Sequence, residues 1–407
     1  MNANGTFVIV GAGLAGAKAA EALREQGFKG RLVLIGAEPH RPYERPPLSK
    51  GYLAGTADRE KAFVHTKDWY AEHGIEFVAG RIVTRIDRAA GRVELNDGTS
   101  VDYDKVVLAT GSSPRPLRIP GADADGVYYL RTIDDSEVLR ELLSKVSRLV
   151  VIGAGWIGLE VTSAARQAGV AVTVIEAAGL PMLKVLGPVV AQVFADLHRE
   201  HSVDFRFDTS VGTITTEGGR ATGVALSDGT VVSADAVLVA VGATPNTELA
   251  EAAGLAVDNG VLVNASLRTD DPNIFAVGDI ANAVNPLLGR RIRVEHWANA
   301  LKQPAVVAAA MLGNEAAYSD LPYFYTDQYD LGMEYLGYAE PGEYDQVVFR
   351  GDVPGREFIA FWLKESRVVA GMNVNIWDVT DTIKALIRSG APVDPARLAD
   401  PSIPLPA

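Results

Sequence analysis

The stretch Phe7-Val8-Ile9-Val10-Gly11-Ala12-Gly13-Leu14-Ala15-Gly16 leaves this chain few folds to choose from. An apolar run reads as a buried strand, it ends in Gly-x-Gly-x-x-Gly, and Ala17 to Arg24 continue in a helical pattern. That order puts the glycines in a strand-to-helix turn. Gly11 permits the tight turn, Gly13 lets backbone approach a pyrophosphate, and Gly16 lets helix and strand pack closely, so phosphates can rest on a helix N-terminus. A second strand, Arg31 to Gly36, ends near Glu38, an acceptor placed to meet the ribose hydroxyls of an adenosine. Together these features describe a dinucleotide site.

The same device recurs. Leu149 to Ile152 run into Gly153-Ala154-Gly155-Trp156-Ile157-Gly158, a helix carrying Glu160 follows, and the next strand ends at Glu176. In both copies an acidic residue lies about 20 residues beyond the glycines, as the dinucleotide fingerprint requires. Two such sites imply two dinucleotides held face to face. The correspondence continues in Asp97-Gly98-Thr99 with Asp228-Gly229-Thr230, and in Ala109-Thr110-Gly111 with Ala240-Val241-Gly242. The chain therefore reads as α/β, with two Rossmann-like domains, the second inserted in the first. Residues 1–115 and 247–320 form the discontinuous first domain and 116–246 the second. From 321 to 407 aromatic and β-branched strands mark a small C-terminal α+β domain.

Hydrophobic residues make up 48% and charged residues 22% of the chain, with no apolar run near the length of a membrane span, so a soluble globular protein is expected. Six residues ahead of the first strand offer no room for a signal or transit peptide, and the expected location is the cytoplasm. Cysteine is absent, which excludes a redox-active disulfide, a thiolate nucleophile and an iron–sulfur cluster ligated by this chain. The histidines lack ligand spacing, so no metal site is expected. A net charge of −13 argues against nucleic acid as the main partner.

Between the motifs, Pro39, Pro42, Pro46 and Pro47 rule out regular structure in residues 39–50 and suggest a rigid wall for a flat ring. Residues from Pro116 to about Val146 read as a connection. An apolar strand delivers Asp279, and a helix is expected from about Ala298 to Leu312, kinked or delayed by Pro304. Another helix is expected over about 378–388, and the tail after Gly390 reads as irregular.

The order Gly11-to-Gly16, Pro46-Pro47-Leu48-Ser49-Lys50, Leu108-Ala109-Thr110-Gly111, Gly153-to-Glu160, Gly242-x-x-Pro245-Asn246, Ile274-to-Asp279 and Asn299-Ala300-x-x-Gln303 resembles the FAD-dependent, NADH-dependent ferredoxin reductases. These are the putidaredoxin reductase-like proteins and the reductase components of bacterial aromatic dioxygenases, with a fold like that of glutathione reductase. The resemblance spans essentially the whole chain. It implies FAD contacts at Gly11, Gly13, Ala15, Gly16, Glu38, Arg45, Lys50, Val83, Ala109, Thr110, Gly111, Arg131, Asp279, Glu295 and Trp297. It implies NADH contacts at Gly153, Gly155, Ile157, Gly158, Glu160, Glu176 and Gly242. Lys50 and Glu160 are the implied catalytic residues, with Lys50 next to the isoalloxazine. Trp297 and Ala305 depart from the putidaredoxin reductase pattern, beside the flavin and on the docking side respectively.

By the same resemblance, electrons pass from NADH through FAD to a separate [2Fe-2S] ferredoxin that serves a cytochrome P450 or an oxygenase. Rubredoxin and monodehydroascorbate are alternative acceptors on this fold, and a redox interaction protein like apoptosis-inducing factor is the alternative from another class. Three expectations come from the residues themselves. Glu176, followed by Ala177-Ala178-Gly179 with no basic residue, should favour NADH over NADPH. Lys50 should be paired with Glu160, because an unpaired buried ammonium is costly. Arg290, Arg291 and Arg293 with Lys302 form the candidate basic patch for the ferredoxin.

Overall fold

The apolar run that opens the chain forms the strand Thr6–Val10, and all but its first residue are buried. In this computed structural model, which describes residues 5–405, that strand is central in a five-stranded sheet. The order is Ile274–Ala276, Lys105–Leu108, Thr6–Val10, Arg31–Ile35 and Ile75–Val78. Every pairing is parallel. Parallel strands covered on both faces need near-continuous apolar sequence, and Val8, Ile9, Leu32, Leu34, Val107 and Phe275 supply it from positions no more than 1% exposed. Each such side chain contributes roughly 1.5–3 kcal/mol by leaving water.

The helices Leu14–Glu25 and Trp297–Met311 pack on each other in this first unit, which comprises residues 5–45, 58–113 and 243–322. Pro304 does not delay the second helix, which begins at Trp297. The neighbouring Gln303 side chain accepts the Gly278 N–H at 2.8 Å, which ties this helix to the turn carrying Asp279.

The second unit comprises residues 46–57, 114–242 and 323–405. Its parallel sheet repeats the first arrangement in the order Val127–Tyr128, Ala236–Val239, Arg148–Ile152, Ala171–Ile175 and Asp204–Arg206. The second glycine strand is again central. An antiparallel sheet of Val211–Glu217, Arg220–Leu226 and Val231–Ser233 accompanies it, closed by the expected Asp228-Gly229 turn.

Residues 323–374 build a five-stranded antiparallel sheet in the order Tyr323–Gln328, Leu331–Gly337, Arg367–Val374, Glu357–Lys364 and Gln346–Asp352. The helix Thr380–Ser389 packs on it. The edge strand Tyr323–Gln328 lies against the helix Trp156–Gln167 of the nucleotide fold, with Phe324 and Trp156 rings 5.0 Å apart.

Three stretches read as irregular or connecting carry short elements. Pro46–Ser49 forms a 3-10 turn, compatible with proline at a helix start. Within the connection, Ile133–Leu143 is a helix opened by a reciprocal capping box between Thr132 and Asp135. In the tail, Pro395–Ala399 is a short helix capped by Asp394, anchored because Leu398 is buried.

Candidate functional site

The two glycine turns share one steric logic. A Cβ added to Gly11 would lie 2.2 Å from the Ala109 carbonyl oxygen, and one on Gly16 would lie 1.9 Å from that of Gly11. In the second turn the matching distances are 2.4 Å from Gly153 to Ala240 and 2.1 Å from Gly158 to Gly153. The protein's own backbone thus demands the first and third glycines. Gly13 and Gly155 are different, because a Cβ on either meets nothing within 4 Å. Each is the N-cap of its helix, without a side-chain cap or an acidic residue in the first turn. A bare helix N-terminus beside open space fits a pyrophosphate, whose charge it would stabilise by about 0.3–1 kcal/mol.

The strand-end carboxylates are held differently. Glu38 accepts from the Arg45 guanidinium at 3.1 Å and from the Tyr43 hydroxyl. Glu176 instead accepts from backbone: the Ala154 N–H at 2.8 Å, inside the glycine turn, and the Ala178 N–H at 2.9 Å. The second carboxylate therefore braces its own glycine turn.

Around the first turn, Asp279 accepts from the Ser112 hydroxyl at 2.9 Å, and Thr110 exchanges hydrogen bonds with Asn246 at 2.8 and 3.1 Å. Glu295 pairs with Arg293, and the half-buried Trp297 donates its indole N–H to Glu44 at 3.1 Å. Ala15, Val83 and Ala109 are buried in the first hydrophobic core. Gly111 and Gly242 both take positive φ, as the chain leaves the strands Lys105–Leu108 and Ala236–Val239. Arg131 and Lys50 belong to the second unit. Arg131 precedes the helix Ile133–Leu143, its backbone N–H held by Asp135. Ile157, in the first turn of the second glycine helix, is one of the exposed large apolar residues.

Lys50 and Glu160 meet. The ammonium is 2.7 Å from Glu160 Oε1, with the carboxylate side chain only 6% and the lysine side chain 15% exposed. Glu160 also accepts from the hydroxyls of Thr326, at 2.6 Å, and Ser49. Lys50 lies 5.3 Å from the Tyr325 ring centre, a cation–π distance. Asp327 is close enough to feel both charges. The helix Trp156–Gln167 supplies Glu160, the turn Pro46–Ser49 presents Ser49 and Lys50, and the strand Tyr323–Gln328 supplies Thr326. Separated by more than 100 residues, these groups assemble inside one compact unit.

Within the basic segment, Arg290 and Arg291 are exposed, and Arg291 and Arg293 also make internal bonds. Arg291 donates to the carbonyls of Val263 and Asn282, and Arg293 to Glu295, Asn259 and the Asp279 carbonyl. Lys302 lies 3.7 Å from Asp320. Arg291 and Arg293 are thereby committed to holding their own unit together. Ser49 and Thr326 bond Glu160 directly, Gln328 and His198 stand behind Thr326, and no motif in the sequence marks any of them as a partner of Glu160.

Among the described residues no helix is long and apolar enough to cross a membrane. Residues 5–304 match the family model described as pyridine nucleotide-disulphide oxidoreductase, and residues 323–407 match that described as Reductase C-terminal. Rhodocoxin reductase of Rhodococcus erythropolis is 42% identical over 395 residues, covering 97% of this chain and 92% of that protein. The anthranilate 1,2-dioxygenase system ferredoxin–NAD(+) reductase component of Burkholderia cepacia is 43% identical over 400 residues, covering 98% of each. The reductase in the crystal structure of a covalent putidaredoxin reductase–putidaredoxin complex superposes with a TM-score of 0.95 at 40% identity, covering 99% of this chain and 98% of that one. By sequence, by structure and by its two matched regions, this cysteine-free chain belongs to the pyridine nucleotide-disulphide oxidoreductase family, among its ferredoxin reductases.

Proposed function

We propose that this chain is a cytoplasmic flavoprotein that takes hydride from NADH onto bound FAD and passes the electrons to a separate [2Fe-2S] ferredoxin. That ferredoxin serves a cytochrome P450 or a dioxygenase. The observation that carries the reading is the presence of two dinucleotide turns, each with an open second glycine, on a chain without cysteine. With no disulfide to reduce and no ligand for a cluster, electrons that enter from a nicotinamide must leave to another molecule.

FAD belongs with the Gly11–Gly16 turn, Glu38, Arg45, Thr110, Asp279 and Trp297, and NADH with the Gly153–Gly158 turn and Glu176. When bound, FAD supplies the conversion of one two-electron transfer into two one-electron transfers. The protein's share is orientation and electrostatics. Glu38 and Glu176 have lone pairs left for ribose hydroxyls, and Glu176 would repel a 2′-phosphate. The buried ion pair of Lys50 and Glu160 serves the hydride step by holding a fixed charge out of water.

The test is NADH-driven cytochrome c reduction with a panel of [2Fe-2S] ferredoxins, rubredoxin and monodehydroascorbate, each against a no-acceptor control. Turnover that rises with one ferredoxin by at least about tenfold over the control supports the reading. Turnover that responds only to rubredoxin or monodehydroascorbate assigns the alternative acceptor, and slow single turnover with every acceptor assigns a redox interaction protein.

A further inference from the structure

Glu160 is the end of a longer polar chain that lies wholly in the second unit. Its Oε1 takes the Thr326 hydroxyl at 2.6 Å, Thr326 Oγ1 takes the Gln328 amide at 3.1 Å, and Gln328 Oε1 faces His198 Nε2 at 2.8 Å. His198 Nδ1 faces the Tyr329 hydroxyl at 3.4 Å, and the Tyr329 ring stacks on His201 at 3.6 Å. Glu160, Thr326, Gln328 and His198 are all buried. The direction of donation is forced. A carboxylate only accepts, so Thr326 gives it its single proton and must itself accept from the Gln328 amide. The amide oxygen is then left for His198, which has to be the Nε2–H tautomer, and its bare Nδ1 can take the Tyr329 proton.

Such a row is costly to bury unless complete, since one unsatisfied member forfeits roughly 1–3 kcal/mol, and apolar residues at inward strand positions would avoid that risk. Here the row is complete, and each donor points toward Glu160. A further contact fixes its register: the Tyr329 N–H donates to Ser163 Oγ at 3.0 Å, and Ser163 lies one turn beyond Glu160 on the same helix.

We propose that Thr326, Gln328 and His198 are positioning residues that fix the Glu160 carboxylate, and through it the Lys50 ammonium, for hydride transfer from NADH. This inference rests on the reading that Lys50 and Glu160 serve that step. Thr326 acts directly, Gln328 by holding the Thr326 hydroxyl in its donating rotamer, and His198 by holding the Gln328 amide. Burial favours the neutral ring of His198 and lowers its pKa to about 4, so the ring stays uncharged through the neutral range.

The experiment is stopped-flow reduction of the FAD-loaded enzyme at saturating NADH, read as a double-mutant cycle. Glu160→Gln should slow reduction about 100-fold, Thr326→Val about tenfold and Gln328→Met about threefold. NADH affinity and FAD content should be unchanged in Thr326→Val, and Thr326→Ser should restore the rate to within about twofold of wild type. On the Glu160→Gln background, Thr326→Val should cause no further slowing, because the hydroxyl no longer has a carboxylate to aim. If Thr326→Val does not fold with FAD, Gln328→Met takes its place in the cycle. Wild-type rates in Thr326→Val and Gln328→Met beside a slow Glu160→Gln overturn the positioning role. Equal slowing by Thr326→Val on both backgrounds also overturns it, since that is general structural damage. A wild-type rate in Glu160→Gln itself refutes the underlying reading of the ion pair, and this inference falls with it.

Discussion

The two nucleotide folds share a central glycine strand, the glycine spacing and a parallel five-stranded sheet, with one edge strand taken from the end of the first fold and from the start of the second, yet they differ at the position two residues beyond the last glycine. In the first fold that position is Lys18, partly exposed and paired with Glu21 at 2.6 Å within its own helix. In the second it is Glu160, buried and paired across the chain with Lys50. A partly exposed helix pair of the first kind contributes at most about 1 kcal/mol. A pair of the second kind costs several kcal/mol to desolvate and is weak evidence for stability, which makes a role other than stability the one to test. The shared frame carries the two glycine turns, and the divergent position is the one that joins Glu160 to Lys50.

The comparison breaks most sharply at these two lysines. Lys50→Met should slow NADH-driven flavin reduction by about 100-fold, whereas Lys18→Met should change it by less than about twofold. Similar effects from both would erase the distinction between the folds. The same stopped-flow traces, with absorbance confirming intact FAD, decide it.

A smaller effect separates the strand-end carboxylates. Glu176→Ala should lower the ratio of kcat/KM for NADH to that for NADPH by about 30-fold, because a 2′-phosphate is no longer repelled. Glu38→Ala should leave that ratio unchanged and instead weaken FAD retention during dialysis. An unchanged coenzyme ratio in Glu176→Ala would reverse the assignment of the second fold.

The smallest effect is on stability. Burial lowers the His198 pKa from 6.5 to about 4. With the unfolded value higher than the folded one, the unfolded chain takes up the proton first as pH falls. His198 therefore contributes stability that is full above about pH 6.5 and is lost as pH falls to about 4. Between pH 7.5 and 5.5 this amounts to about 1.4 kcal/mol. Urea unfolding of wild type should show that extra loss relative to His198→Asn, and identical pH slopes would mean that the histidine is not held neutral.

What the sequence reveals and what it hides divide along the same line. The glycine turns are legible because the motif itself is contiguous: a Cβ on Gly16 or Gly158 would meet the carbonyl of Gly11 or Gly153 in the same motif, while one on Gly11 or Gly153 would meet Ala109 or Ala240 from a distant part of the chain. The Lys50–Glu160 contact is reachable from chemistry, since a buried ammonium needs a partner and a fingerprint glutamate offers one. Thr326, Gln328 and His198 are not reachable in that way. They come from strand and helix positions joined only by tertiary packing, and polar residues at those positions read as ordinary surface. The internal bonds of the arginine segment are hidden as well: Arg291 and Arg293 donate to Val263, Asn282 and Asn259, which the fold brings near, and only Glu295, two residues from Arg293, is close in sequence. Trp297 is similar, since Glu44, its acceptor, lies 253 residues away in sequence.

Passage of NADH electrons across this chain to a one-electron carrier is read by anaerobic titration of the FAD-loaded enzyme and an excess of oxidised [2Fe-2S] ferredoxin with NADH, following the cluster absorbance. Each NADH should reduce two ferredoxins, with the enzyme regenerated for further cycles. Flavin that is reduced by NADH while every ferredoxin of the panel stays oxidised would contradict it.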